Sequence, residues 1–299
     1  MNIFITGLTG TLGTALAKLH HSRGDKVYGC ARSEARAVAW LGEQRTLPAT
    51  LLLGDAAQLA MPSTEMGRLL PSMDRVYHCA AMKHVDLCEQ YPYEALLQNV
   101  DLTQTVAVAC RQLKIGLVVV SSDKACLPQS VYGATKLLAE KIAVREGAAV
   151  VRLGNLIGSS GSVFQHWMGT IQGETRPLKI TDGKMTRYFI GTKKAAEFIA
   201  DGHIAGSVVI PDPLLAVHMG ELCNDICRHF NHKPGVVGIG ARAGECTHQW
   251  LVAPDEPFIQ CSDKLILCGD GLAYHPGKCS ATADRWKFKD ILSELEQQL

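Results

Sequence analysis

The chain has 299 residues, long enough for one large domain or two small ones and for a substantial core. Apolar residues make up 47% and charged residues 20%, and 30 Lys and Arg against 29 Asp and Glu leave a formal net charge of +1. That balance excludes a global field for nucleic acid or an anionic membrane, so any anionic ligand must be held by local groups. No run approaches the ~20 apolar residues of a bilayer span. The start, Met1 to Gly7, lacks the basic segment of a signal peptide. Eleven scattered cysteines, an odd number, favour a reduced cytosolic protein over a disulfide or zinc framework.

In chain order, Asn2 to Thr6 reads as a strand that ends in glycines. Leu12, Leu16 and Leu19 share one face of a following helix that runs to His21. Lys26 to Cys30 is a second strand, Ser33 to Leu41 a helix capped by Ser33, and Thr50 to Leu53 a third strand. Arg75 to Cys79, Gly116 to Ser121 and Ala148 to Leu153 are further strands, separated by helices over Tyr93 to Leu113 and Val131 to Arg145. Near-continuous apolar strands alternating with helices predict an α/β protein with a Rossmann-type, doubly wound parallel sheet. After Asn155 the rhythm changes. A strand at Leu178 to Thr181, a helix from Lys193 to Gly202, a sheet strand at Ser207 to Ile210 and helices over Met219 to Phe230 and near Trp286 to Leu299 follow. The expected division is a dinucleotide domain over 1–155, joined by about 190–212, and a smaller C-terminal substrate-binding lobe from 156–189 and 213–299.

Glycines at 7, 10 and 13 sit between the first strand and the first helix, in Thr6-Gly7-Leu8-Thr9-Gly10-Thr11-Leu12-Gly13. Such a turn lets backbone approach a pyrophosphate, and the helix N-terminus supplies N–H groups and partial positive charge. The second strand ends in Arg32-Ser33, where an NAD-selective site would carry an acid; Glu34 lies further on. Arg32 and Ser33 suit the 2′-phosphate of NADP, with NAD the less favoured cofactor. Asp55, just after the third strand, is placed to meet the adenine edge or to cap its loop.

Tyr132 and Lys136 form a Tyr-x-x-x-Lys on one helical face. A neighbouring ammonium would lower the tyrosine pKa and make it the base for oxidation of a hydroxyl-bearing carbon. Upstream, Ser121-Ser122-Asp123-Lys124 offers Ser122 to orient the hydroxyl. Asp123 and Lys124 add an acid and a base that simple oxidation does not need. They suit a sugar 4,6-dehydration, in which oxidation at C4 acidifies C5–H, the base removes it, and the acid expels the C6 hydroxyl.

With the glycine turn, these residues have the layout of the extended short-chain dehydrogenase/reductases. Further segments resemble the nucleotide-sugar dehydratases of their polysaccharide-biosynthesis branch, above all the soluble UDP-N-acetylglucosamine 4,6-dehydratases that invert C5. They are Ala80-Ala81-Met82-Lys83-His84-Val85 with Asn99 behind it, Ser121 to Ala125, Val131 to Lys136, Arg152 to Gly158, Ile180-Thr181-Asp182 with Met185 to Phe189, and Ala241 to Glu245. The resemblance implies catalysis by Tyr132, Lys136, Ser122, Asp123 and Lys124. It implies a cofactor site of Gly7, Thr9, Gly10, Thr11, Leu12, Gly13, Arg32, Ser33, Asp55, Ala80, Ala81, Lys83, Asn99, Tyr132 and Lys136. It implies a UDP-sugar site of Lys83, Asn155, Thr181, Arg187, Arg242 and Glu245, and, by analogy, a homo-oligomer. Three departures bear on the sugar: Ser160 where the family often has arginine, Ala243 where it has proline, and Cys126 to Ser130 in place of an asparagine-rich loop. A UDP-sugar 4-epimerase of the same fold stays open as an alternative, as does a non-enzymatic NADP-binding sensor.

Overall fold

The computed structural model describes residues 1–44, 46–173, 176–241, 244–254, 256–267 and 277–296. Its main sheet has nine strands in the order Phe258–Gln260, Lys264–Leu267, Val208–Pro211, Ala149–Leu153, Gly116–Ser122, Arg75–His78, Asn2–Thr6, Lys26–Ala31, Thr50–Leu53. From Val208–Pro211 to Thr50–Leu53 every pairing is parallel. The central strands are buried on both sides: Ile3, Ile5, Val118 and Val151 pack into one apolar cluster, and Phe4, Val76, Val119 and Val150 into another. Two-sided burial is why these segments read as unbroken apolar runs.

The strand order reverses between Asn2–Thr6 and Arg75–His78. At such a reversal the connections leave toward opposite sides, and a crevice opens beyond the carboxyl ends of the strands. The glycine turn and the Ala80–Lys83 segment both begin there.

Two features depart from the sequence expectation. The edge of the sheet is an antiparallel hairpin, Phe258–Gln260 with Lys264–Leu267, added to Val208–Pro211. A hairpin needs no crossover helix, so it leaves none of the alternation that marks the other strands. The helix expected over Tyr93 to Leu113 is interrupted: Pro92–Leu96 and Leu102–Leu113 are joined by a π-helical turn at Leu97–Asp101. That turn carries Asn99, which is buried.

A separate apolar cluster, including Ile157, Phe164, Trp167, Phe189 and Leu222, is built from the second half of the chain. Around it lie a three-stranded sheet of Ala216–His218, Thr186–Ile190 and Asn155–Leu156 and the pair Leu178–Ile180 with Val236–Gly238. Among the described residues no helix is long and apolar enough to cross a membrane.

Candidate active site

The glycine turn is a cradle that side chains would fill. Gly7 has φ +68°, and a Cβ there would lie 2.9 Å from the amide nitrogen of Ala80; one on Gly13 would fall on the Gly7 carbonyl oxygen. Gly10 precedes the helix Thr11–Ser22 and gives it no side-chain cap. The first N–H groups of that helix are therefore suited to an anion. Leu12 is buried and anchors the helix start. Thr11 Oγ1 accepts from the Ser160 N–H at 3.1 Å, and Lys83 Nζ donates to the Ser160 carbonyl at 2.7 Å. Thr11 and Lys83 thus meet the loop around Ser160 at the helix start. Burial, with Arg36 nearby, lowers the Lys83 pKa.

At the next strand end, Arg32 lies 3.7 Å from Asp55, both part-exposed. Asp55 caps its own loop, accepting from the Ala57 N–H at 2.8 Å, and Ser33 caps the helix Glu34–Glu43. A Gly-lined turn, an uncapped helix N-terminus and a cation at the second strand end are what a dinucleotide phosphate requires, and Gly7, Gly10, Gly13, Thr11, Arg32 and Ser33 could hold one.

Beneath the cradle runs a buried polar chain. The Ala80 N–H donates to Thr6 Oγ1 at 3.1 Å, and Thr6 Oγ1 lies 2.8 Å from His78 Nδ1. His78 Nε2 lies 3.1 Å from Thr103 Oγ1, which itself donates to the Asn99 carbonyl at 2.7 Å. With the threonine proton so committed, His78 must donate through Nε2 and accept through Nδ1. Burial pushes its pKa down to about 3, with Lys136 adding to the effect, so the ring is neutral. Asn99 accepts from the Met82 N–H at 2.8 Å and donates to the Met82 carbonyl and to Thr135 Oγ1, each at 3.0 Å. Both its amide hydrogens are engaged in the interior. Asn99 therefore clasps the Ala80–Lys83 segment.

The helix Val131–Arg145 starts at the Ser130 cap and carries Tyr132 and Lys136, both buried. A Cβ on Gly133 would fall on the Lys124 carbonyl, so glycine lets this helix lie directly against the Asp123–Ala125 turn. Tyr132 lies near Ser122. Burial pushes the phenol above its ordinary pKa, with Ser122 opposing. This differs from the expected lowering by Lys136, because Lys136 is turned to the sheet: its Nζ donates to the Val120 carbonyl at 2.7 Å. Burial brings the Lys136 pKa down to about 8.

Asp123, buried, accepts from Ser122 Oγ and from Lys124 Nζ on the same oxygen, Oδ1, each at 3.0 Å. Lys124 Nζ also donates to Asn155 Oδ1 at 3.1 Å. Asn155 in turn donates to the Tyr188 carbonyl at 2.9 Å. Arg187 is held by the Thr186 and Thr247 carbonyls at 2.9 and 3.1 Å, and burial lowers its pKa while Asp123 and Glu245 oppose. Ser122, Lys124, Tyr132, Asn155 and Arg187 are therefore gathered around Asp123, with Glu245 near Arg187. Thr181 is placed by a main-chain bond, its carbonyl accepting from the Gly240 N–H at 3.0 Å. Arg242 and Ala243 lie outside the described residues.

Gln249 was not singled out by the sequence. It is buried, and its side chain lies against Asp123, Lys124 and Asn155. Glu140, Arg152 and Glu256 were also missed as a unit. Arg152 is fully buried, bonded to Glu140 at 2.8 and 3.1 Å, to Glu256 at 2.9 and 3.0 Å and to the Leu251 carbonyl at 2.7 Å. It ties the tyrosine-bearing helix to the segment that follows Gln249. A polar residue inside an apolar strand, as at His78 or Arg152, was the available signal; Gln249 offered none.

The chain is similar to known proteins along most of its length. It is 30% identical over 273 residues to a UDP-N-acetylglucosamine 4,6-dehydratase (inverting) of Campylobacter jejuni, covering 86% of this chain and 79% of that protein. The X-ray structure of Pen from Bacillus thuringiensis superposes with TM-score 0.86 at 26% identity, covering 99% of this chain and 97% of that one. DesIV, a dTDP-glucose 4,6-dehydratase from Streptomyces venezuelae with NAD and TYD bound, shares the fold with TM-score 0.70 at 19% identity over 82% of each chain. The profile of the polysaccharide biosynthesis protein family matches residues 3–266, and the chain belongs to that family.

Proposed function

We propose that the chain is a nucleotide-sugar 4,6-dehydratase that acts on UDP-N-acetylglucosamine with a retained NADP and inverts C5. The observation that carries this reading is the ion pair of buried Asp123 with half-buried Lys124, 3.0 Å apart beside Tyr132 and Ser122. Taking a carboxylate out of water is costly unless its partners satisfy it or it has a task. An epimerase of this fold needs Tyr132 and Lys136 but gives the pair no task. The similarity to an inverting dehydratase supports both the substrate and the inversion.

The pair shares one proton in a useful way. Passing it from Lys124 Nζ to Asp123 Oδ1 creates an amine base and a carboxylic acid with no change of net charge. The amine takes the C5 proton, and the acid gives its proton to the C6 hydroxyl, which leaves as water. Lys124 is then an ammonium and Asp123 a carboxylate again, so the step balances. Tyr132 accepts the C4 hydroxyl proton, with Ser122 orienting that oxygen. Because burial disfavours the phenolate, Tyr132 needs the positive charge of an oxidised dinucleotide beside it. A nicotinamide, when bound, would supply the hydride acceptor for C4 and the hydride donor for C6, and a proton from solvent returned to C5 would complete the 4-keto-6-deoxy sugar. Gly7, Gly10, Gly13, Thr11 and Lys83 would hold the dinucleotide phosphates, and Arg32 with Ser33 the 2′-phosphate. Arg187, with Arg242 by family resemblance, would grip the sugar diphosphate, since planar forks suit phosphate oxygens. On this reading residues 1–155 with 190–212 bind the dinucleotide, and 156–189 with 213–299 bind the nucleotide sugar.

The reading separates two sets of variants. Tyr132→Phe is expected to lose oxidation and every later step. Asp123→Asn and Lys124→Ala are expected to reduce bound dinucleotide on adding substrate while losing water at least about 100-fold more slowly. Mass spectrometry of the sugar product and reduced-nicotinamide absorbance measure the two steps. Folded Asp123→Asn and Lys124→Ala proteins that dehydrate at the normal rate would remove the assignment.

A further inference from the structure

Gln249 is a buried amide that meets both members of the acid–base pair. With its nitrogen toward Asp123 and its oxygen toward Lys124, Nε2 donates to Asp123 Oδ2 at 2.6 Å and Oε1 accepts from Lys124 Nζ at 2.9 Å. The opposite orientation would set an amide oxygen against a carboxylate and amide hydrogens against an ammonium. It would gain one bond, from Asn155 Nδ2 at 3.2 Å. Two charge-assisted bonds outweigh one neutral one, so the amide bridges the pair.

The bridge completes the coordination of Asp123. Ser122 and Lys124 both use Oδ1, and Gln249 takes Oδ2. The carboxylate cannot then swing about its Cα–Cβ bond, and the Lys124 ammonium is held between Asp123, Asn155 and Gln249. Gln249 is itself fixed: its backbone N–H donates to Ser280 Oγ at 2.8 Å, and its carbonyl accepts from the Ser280 N–H at 2.8 Å. Two residues on, the Leu251 carbonyl is fastened by buried Arg152, which also grips Glu140 of the Tyr132 helix.

We infer that Gln249 is a positioning residue for elimination: it holds Asp123 and Lys124 in the geometry in which one proton can pass between them and on to the sugar. It takes no part in oxidation at C4, which belongs to Tyr132. The inference rests on the dehydratase reading.

The test is Gln249→Met, which keeps length and apolar volume but loses both bonds. Wild-type and variant proteins are given UDP-N-acetylglucosamine in a single turnover. Reduced-nicotinamide absorbance reports oxidation, and mass spectrometry reports loss of water. The expected result is oxidation within about 3-fold of wild type and loss of water slowed about 30- to 100-fold, with a reduced-dinucleotide complex accumulating. A merely structural role would slow both steps together, and that result, or normal dehydration, overturns the inference. Should the methionine variant not fold, Gln249→Asn keeps an amide too short to reach both partners and is expected to show the same split with a smaller slowing. If wild type itself oxidises no substrate or loses no water, the dehydratase reading fails; if wild type dehydrates and the variants show no split, only the role of Gln249 fails.

Discussion

His78 shows how much one buried side chain can report. It is neutral, its tautomer fixed by Thr6 and Thr103, and burial holds its pKa near 3. A histidine in the unfolded chain titrates near 6.5. The folded value is depressed, so the unfolded state binds a proton that the folded state refuses as pH falls below about 6.5. His78 therefore contributes stability above that pH that is lost on acidification, about 1.5 kcal/mol between pH 6.5 and 5. His78→Gln keeps a donor and an acceptor without titrating. Urea unfolding at the two pH values should show the wild type losing about that much more than the variant; parallel losses would show that His78 is protonated in the fold. At Arg32 the expectation concerns selectivity. An arginine–phosphate contact is charge-assisted, and among the described residues the ion pair Arg32 would exchange for it is the 3.7 Å contact with Asp55. Arg32→Ala should weaken NADP binding at least about 10-fold and NAD binding little, by fluorescence titration. Equal weakening of both would remove the case for NADP.

Among the elements, the glycine turn makes a graded claim. A Cβ on Gly13 meets the Gly7 carbonyl oxygen, whereas one on Gly10 comes no nearer than 3.2 Å to the same atom. Gly13→Ala should lose about 1–3 kcal/mol by overpacking and abolish dinucleotide binding. Gly10→Ala should stay within about 1 kcal/mol of wild type, as followed by thermal melting; equal losses would contradict the packing. This turn was legible in the sequence because strand, glycines and helix occur in one local order. So was the helix Val131–Arg145, whose bounds match the expectation. The π turn at Leu97–Asp101 was not, because its reason is the distant backbone of Met82, which Asn99 reaches across the fold. The hairpin ending at Leu267 was not, because short antiparallel strands carry no helical rhythm. Gln249 was hidden for a similar cause: its partners Asp123 and Lys124 lie more than a hundred residues away, and nothing in its neighbours marks it.

For the whole molecule, the site joins the carboxyl end of the Gly116–Ser122 strand to residues from the second half of the chain. Asp123, Lys124 and Tyr132 come from the sheet side, and Asn155, Arg187 and Gln249 from the other. Arg152 fastens the Tyr132 helix to the segment that follows Gln249 with four bonds to carboxylates and one to a carbonyl. Oxidation and elimination can then act on one sugar without its release, and the electrons taken at C4 can return at C6. The central claim is this internal transfer. It is tested by NMR of the product formed from UDP-N-acetylglucosamine deuterated at C4, with the enzyme carrying its own dinucleotide and no added reductant. The expected product is a 4-keto-6-deoxy sugar with the deuterium at C6. A product that keeps its C6 hydroxyl, carries the deuterium at C4 and differs from the substrate only in configuration there would contradict the claim and make the protein an epimerase.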